Sequence, residues 1–409
     1  MRPAYLSSGI ALILFAACAA PTGSSVPSSL IRTASPAPIS EPIPSATVRV
    51  TTVGTPHDVP TYRGNAARTG VMPDPGPVGD ATLRWKSSAD GPIRSTPVVA
   101  RGVVYVAADS GSLYALDLAS GRQRWLAHVS TSNLSAPDVV DGMVVVGTAD
   151  DRLRAFNAAT GELRWSIAAD GPVTGAPADF DGTVVFGTGG GSVVAVDAAT
   201  GARRWTAHAA DPVRSSVAIG GGSVVVGTNG GWIVAFGLKD GAVRWKANSG
   251  DAGRVGTPTI DGGRVFAGTG LDASGPPSHH IVALDAGSGR ILWRYTSPTG
   301  DAVYTPAVSG GRAFVTSEDG TVVALDVATG ALVWTARVGG PVEVVAAIAG
   351  TAVYAASNRG LAFAIDAVTG NELWKSPIHG TPYGPMVAAG LFLVGTDLGD
   401  VYAIGGTLP

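Results

Sequence analysis

Five aspartates, Asp117, Asp197, Asp285, Asp326 and Asp366, are each followed four positions later by a glycine. Carboxylates that converged would hold a divalent cation or share a proton between them. Three other features carry chemistry by residue type. Gly187-Thr188-Gly189-Gly190-Gly191 has the composition of a phosphate cradle, His279 and His280 are an adjacent pair of metal-ligand side chains, and Cys18 is the one cysteine. Whether any of them acts depends on the elements that carry it.

Those elements repeat. The stretch ALDLASGRQRW at 115–125 returns as AFNAATGELRW, AVDAATGARRW, AFGLKDGAVRW, ALDAGSGRILW, ALDVATGALVW and AIDAVTGNELW, ending at Trp165, Trp205, Trp245, Trp293, Trp334 and Trp374. Successive tryptophans stand roughly 40 residues apart, with one longer interval between Trp245 and Trp293, a period that marks a propeller or solenoid. Within the first unit, 95–99, 102–107, 112–117 and 122–127 read as four short strands parted by turn residues, which describes a propeller blade. After Trp374 the chain supplies three further strands, 383–387, 391–395 and 400–404, and no tryptophan strand; Leu83-Arg84-Trp85, one repeat before Trp125, supplies it. The reading is an all-β, eight-bladed β-propeller of four antiparallel strands per blade, closed by pairing of the N- and C-terminal strands, which removes exposed edges.

The repeat disposes of most of the chemistry. Aspartates at one hairpin position are spread around a ring and cannot converge on one ion. Each bonds backbone amides of its own turn, while the glycine accepts the positive φ the turn requires. The glycine-rich stretch 187–191 aligns with the hairpin at 107–111, and no helix follows to present amides to an anion. Neighbouring histidines on a loop point apart. No catalytic residue, metal site or cofactor is expected. Trp85, Trp125, Trp165, Trp205, Trp245, Trp293, Trp334 and Trp374 are structural, each large enough to dock onto the next blade.

Residues 1–17 have the layout of an export signal: Arg2, then an apolar run over 10–17. Phe15-Ala16-Ala17-Cys18 resembles a bacterial lipobox, which implies lipidation of Cys18 and a lipid-anchored, extracytoplasmic protein. The alternatives are a plain secretory signal cut near Ala20, giving a secreted or periplasmic protein, and an uncleaved anchor. Residues 18–57 are rich in Pro, Ser, Thr and Ala and read as a disordered tether, leaving 58–409 for the propeller. With 28 Lys and Arg against 31 Asp and Glu, for a net charge of −3, the chain lacks the basic footprint of a nucleic-acid binder. A monomeric propeller is expected.

Recognition is sought where blades differ. Aligned on Ser95-Thr96-Pro97, the entries to the inner strands carry Arg94, Leu134, Thr174, Arg214, Arg254-Val255, Val303-Tyr304, Glu343 and Tyr383, which should ring one mouth of the central channel. The long interval between Trp245 and Trp293 holds an extra stretch, 271–280, on the same face, and Trp232 stands in the neighbouring blade where others carry Ser or Arg. Arg94, Arg214, Trp232, Arg254, His279, His280, Tyr304, Glu343 and Tyr383 are therefore the candidate partner-binding residues. The other reading of Trp232 is that it covers its own hairpin, and of the loop that it is a tolerated insertion.

These tryptophan-terminated blades closely resemble the tryptophan-docking repeats of the pyrroloquinoline-quinone-like propeller superfamily, over about residues 58–409. The likeness includes Tyr62-Arg63-Gly64-Asn65-Ala66-Ala67-Arg68-Thr69-Gly70, similar to a segment these proteins carry before the first blade. The superfamily includes quinoprotein dehydrogenases, the lipoprotein scaffold of the outer-membrane barrel-assembly machinery, and bacterial sensor domains. Its dehydrogenases hold quinone between a tryptophan and an adjacent-cysteine disulfide, with calcium and an aspartate base; no cysteine lies in this chain's propeller. The resemblance alone does not choose among these functions; with no nucleophile–base pair or converging carboxylates legible, the expectation is a non-enzymatic, protein-binding scaffold with a partner at one mouth, in cell-envelope assembly, and the alternative is a small-molecule sensor or quinone-dependent dehydrogenase using that mouth.

Overall fold

The computed structural model describes residues 58–130, 132, 134–271, 279–299, 301 and 303–407. The export signal, Cys18 and the tether lie outside the described residues. Eight four-stranded antiparallel sheets form eight blades. Blade one consists of Val98–Ala100, Val103–Ala107, Ser112–Asp117 and Gln123–His128. Blade eight joins Pro382–Ala388, Leu391–Thr396 and Asp400–Thr407 to Gly79–Ser88 from the other end of the sequence. That last pairing runs from Gly79 opposite Thr407 to Ser88 opposite Asp400, so the ring closes where the repeat count requires. Among the described residues no helix is long and apolar enough to cross a membrane.

Each tryptophan docks across a blade boundary. Trp125 Nε1 donates to the Ala158 carbonyl at 3.0 Å, Trp205 to Leu238 at 2.8 Å and Trp293 to Val327 at 3.0 Å. The indole then lies on the glycine of the next hairpin: Trp85 on Gly121, Trp165 on Gly201, Trp334 on Gly370. The glycine thus has two duties, a positive φ and a bare surface for the ring. At the seam, where no such hairpin exists, Trp374 Nε1 and the Tyr354 hydroxyl both donate to the Pro77 carbonyl, at 2.6 and 3.0 Å.

Beside every docking tryptophan the outer ladder slips by one position. Ala115 faces Trp125 but Leu116 faces Gln123, so Arg124 is bulged out, and Arg84, Arg204 and Val333 occupy the same position in their blades. A bulge sharpens local twist and re-aims side chains. The freed arginines reach back to the hairpin: Arg124 meets Asp117 at 2.6 Å and Arg204 meets Asp197 at 2.8 Å. With Ser120 capping from the other side, Arg124 holds the Asp117 carboxyl down at about 2.

The axis is not an open channel. Residues 59–72 make one circuit inside the ring, meeting blades in order: Val59 pairs with Val99, the Pro60 carbonyl accepts from Val139, Ala66 from Ile219, Ala67 from Ile260, Thr69 from Val308 and Gly70 from Ile348. Blade three is engaged by a side chain. Arg68, wholly buried, donates from Nη2 to the Pro177 carbonyl at 2.5 Å, from Nε to Val217 at 2.8 Å, and from Nη1 to Tyr62 and Thr61 at 2.6 and 2.7 Å. Arg63, 2% exposed, reaches the Pro306 carbonyl at 2.5 Å. Both arginines take positive φ, 58° and 60°, the left-handed conformation that curls the segment into a circlet.

Candidate binding cup at the upper mouth

Proline opens the mouth. Pro97, Pro137, Pro177, Pro258 and Pro306 precede inner strands of only three residues; lacking an N–H, proline gives the ladder no donor at that position. Above it the chain splays away, and the Ser95 hydroxyl bonds the Ala107 carbonyl at 2.8 Å in place of a backbone pair. The result is a cup of about 410 Å³, within the range of ligand sites. One residue per blade forms its lower wall: Thr96, Ala136, Ala176, Ser216, Thr257, Thr305, Val345 and Gly384. Hydroxyls stitch part of this ring together, with Ser216 Oγ accepting from Ala176 N at 3.0 Å and Thr257 Oγ1 from Ser216 N at 3.1 Å. Tyr62 of the circlet also lines the cup, which makes it blind.

The rim has two characters. From blade five round to blade one it carries Arg254, Tyr304, Glu343, Tyr383 and Arg94; blades two and three contribute Leu134 and Thr174. Arg94 is tied to Asp109 and its guanidinium lies over the Tyr383 ring, 5.7 Å from the centroid. The Tyr304 hydroxyl donates to Glu318 Oε1 at 2.8 Å. Burial, and then the adjacent Glu318, push that phenol well above its ordinary range, so it is a neutral donor. Glu343 Oε1 accepts from Asn358 Nδ2 at 2.8 Å. Arg254 and Leu271 exchange both backbone hydrogen bonds, at 2.7 and 3.0 Å, so the extra stretch of blade five starts inside the cup; 272–278 lie outside the described residues.

Five of the nine candidate recognition residues therefore meet in one wall, and four do not line it. Arg214 is exposed beside the cup. Trp232 packs against the blade three–four core and is capped by Lys246, whose Nζ sits 4.2 Å from the ring centroid. His280 Nδ1 lies 2.9 Å from Asp251 Oδ1, and the buried Asp251 also takes the Thr269 hydroxyl and Arg294 at 3.6 Å. His279 precedes that strand without lining the cup.

Sequence reading missed Tyr62, Asp109, Glu318 and Asn358 as parts of this site. It also missed a recurring latch. Asp90 accepts from Ser110 at 2.5 Å and Ser112 at 2.7 Å, and Asp170 from Thr188 at 2.6 Å and Ser192 at 2.5 Å, tying each entry loop to the next hairpin. Burial works against ionisation of both, but these hydroxyls outweigh it and both carboxyls are lowered. The signal was present as Asp-Gly-Pro at 90–92 and 170–172. Asp170 also lies against Gly190 of the glycine-rich stretch 187–191 while accepting from Thr188.

A quinone with calcium does not fit this cup. The donors needed are converging oxygen ligands, yet among the described residues no three His, Cys, Asp or Glu side chains come together. Its two lining acids, Asp109 and Glu343, are engaged by Arg94 and Asn358.

Fold and cup together define a repeat propeller with tryptophan-docked blades, a self-filled axis and a blind upper mouth. The chain belongs to the family of PQQ-like repeat proteins described as outer membrane protein assembly factor BamB, which matches at 78–216, 151–273 and 230–407. Among solved structures, BamB from Moraxella catarrhalis is 19% identical with a TM-score of 0.65, covering 80% of this chain and 97% of its own. Quinohemoprotein alcohol dehydrogenase from Comamonas testosteroni is 17% identical with a TM-score of 0.67, covering 86% and 81%. The computationally designed Ika8 protein is 18% identical with a TM-score of 0.67, covering 78% and 97%. At such identities the likeness is one of fold. No curated protein matches the sequence.

Proposed function

We propose that this chain is an extracytoplasmic, lipid-anchored, non-enzymatic propeller that holds a protein partner in its upper mouth, as a scaffold in cell-envelope assembly. The observation that carries the proposal is the cup itself, where arginine and tyrosine side chains of the kind that anchor interfaces are gathered on one wall of a preformed concavity. Membership of the BamB family supports the envelope setting, and the lipobox-like sequence before Cys18 supports the anchor.

Site-specific photo-crosslinking tests it. A photoreactive residue at Leu134 or Tyr383 should trap a protein partner in membranes, and one at Ala119 or Ala199, in the hairpins of the opposite face, should not; adducts confined to the lower face would overturn the reading. Mass spectrometry of the N-terminal peptide reads the modification at Cys18. The dehydrogenase fold neighbours motivate the competing reading of a quinone-dependent enzyme or small-molecule sensor. Turnover in a dye-linked assay after adding quinone and calcium would replace the scaffold.

A further inference from the structure

We infer that the cup receives a carboxylate carried on an apolar stem, the C-terminal end of a polypeptide, with Arg94 as its receptor. The inference rests on the scaffold reading of the same mouth and names what enters it. Three observations carry it. The cup is blind, because Tyr62 and the circlet lie beneath it; an occupant cannot thread through and must present an end or a turn.

Arg94 is built as an anion receptor. Stacking over Tyr383 fixes the plane of the guanidinium, Asp109 takes Nη1, and the side chain stays 52% exposed. A guanidinium carries five N–H donors in a rigid fork, so Asp109 and Tyr383, which both bond Arg94, still leave part of the fork to a ligand, and a carboxylate matches it in plane and charge. The acids nearby do not pre-empt the site: Asp109 is the group holding Arg94, and Glu343 belongs to blade seven and is bonded to Asn358.

The surface next to Arg94 has the complementary character. Blades two and three follow blade one around the ring and line the cup with Leu134, Ala136, Thr174 and Ala176, all uncharged. A carboxylate at Arg94 thus lays its stem along the apolar sector, and the polar sector across the cup is left for the backbone of the incoming chain.

The test is fluorescence anisotropy of the full chain with an N-terminally dye-labelled peptide ending Ala-Leu-Phe, as the free acid and as the C-terminal amide. The acid should bind at least tenfold more tightly than the amide. Arg94→Gln should erase that preference, whereas Asp109→Asn, which releases Nη1, should strengthen acid binding several-fold; the opposite directions guard against a general loss of folding. Equal binding of acid and amide, or an unchanged preference in Arg94→Gln, would sink the proposal even if crosslinks at Leu134 and Tyr383 upheld the scaffold. Competition by 3-phenylpropanoate as strong as by the unlabelled peptide would overturn the chain-end source and assign the site to small acids.

Discussion

The indole of Trp125 lies flat against Gly161, so closely that a Cβ on that glycine would stand 2.8 Å from Cε3 of the ring. Gly161 has φ +76°, and Gly142, in the hairpin before it, has φ +75° with open space around it. The two glycines separate backbone strain from docking. Gly142→Ala is expected to cost about 1 kcal/mol for its φ alone, and Gly161→Ala about 2–4 kcal/mol as the ring is also displaced. Urea unfolding of the two variants should rank them in that order.

The terminal strand is the clasp of the ring. Deleting 81–86 should lower the melting temperature of the whole propeller and promote aggregation, because Asp400–Thr407 would lose its partner and stand as an open edge. Thermal melts read with light scattering check this. A truncated protein that melted like the parent would show that closure lies elsewhere.

Arg68 is a cation whose guanidinium is spent on main-chain carbonyls. Arg68→Met should destabilise by about 3–5 kcal/mol, the cost typical of removing one side of a buried charged network, since Pro177, Val217 and Tyr62 carbonyls lose their donor. Arg68→Lys should recover little, because one ammonium cannot reproduce the fork. Denaturant midpoints of the two variants are the measurement.

Two acids of blades two and three sense that cation. Burial raises Asp138 well above the carboxylate range, with Asp179 adding to the rise and Arg68 opposing it. Asp179 is pushed up to about 6 by burial, against Arg68 and with Asp141 adding to the rise. A carboxyl raised by folding contributes stability below its unfolded pKa of about 4, and that contribution is lost as pH climbs towards 6. The hairpin aspartates behave oppositely: Asp117, held at about 2 by Arg124 and Ser120, contributes above about pH 4 and loses that contribution as pH falls towards 2. Maximum stability is therefore expected near about pH 4–5. Asp179→Asn should raise the midpoint at about pH 7 and flatten the decline between about pH 4 and 6.

Repetition made the blades legible. A tryptophan closing every repeat, with an incomplete unit at each end, was enough to count the blades and locate the seam. The rim at Arg94, Arg254, Tyr304, Glu343 and Tyr383 was legible for the converse reason, since positions free of blade packing are where the copies diverge. The circlet was not. The segment 62–70 occurs once and has no period, and its partners lie as far off as the opposite end of the chain, Ile348 for Gly70 among them. Nothing local to Arg68 in the sequence reveals that carbonyls of distant blades converge on it. Trp232 resembled a recognition residue because its cover, Lys246, comes from the adjacent strand.

The circlet also decides how the molecule carries load. Asp58, where the described chain begins, accepts a hydrogen bond from Arg101 N at 2.7 Å in a lower hairpin, on the face opposite the cup. A pull transmitted through the residues before it meets 59–72 first, with backbone bonds shared among six blades and Arg68 engaged with a seventh. Those bonds must yield before tension reaches Gly79–Ser88, the strand that holds the ring shut. Forced opening is governed by the slowest rupture on the line of force, so the inner loop acts as a strain relief for the strand that holds the ring shut.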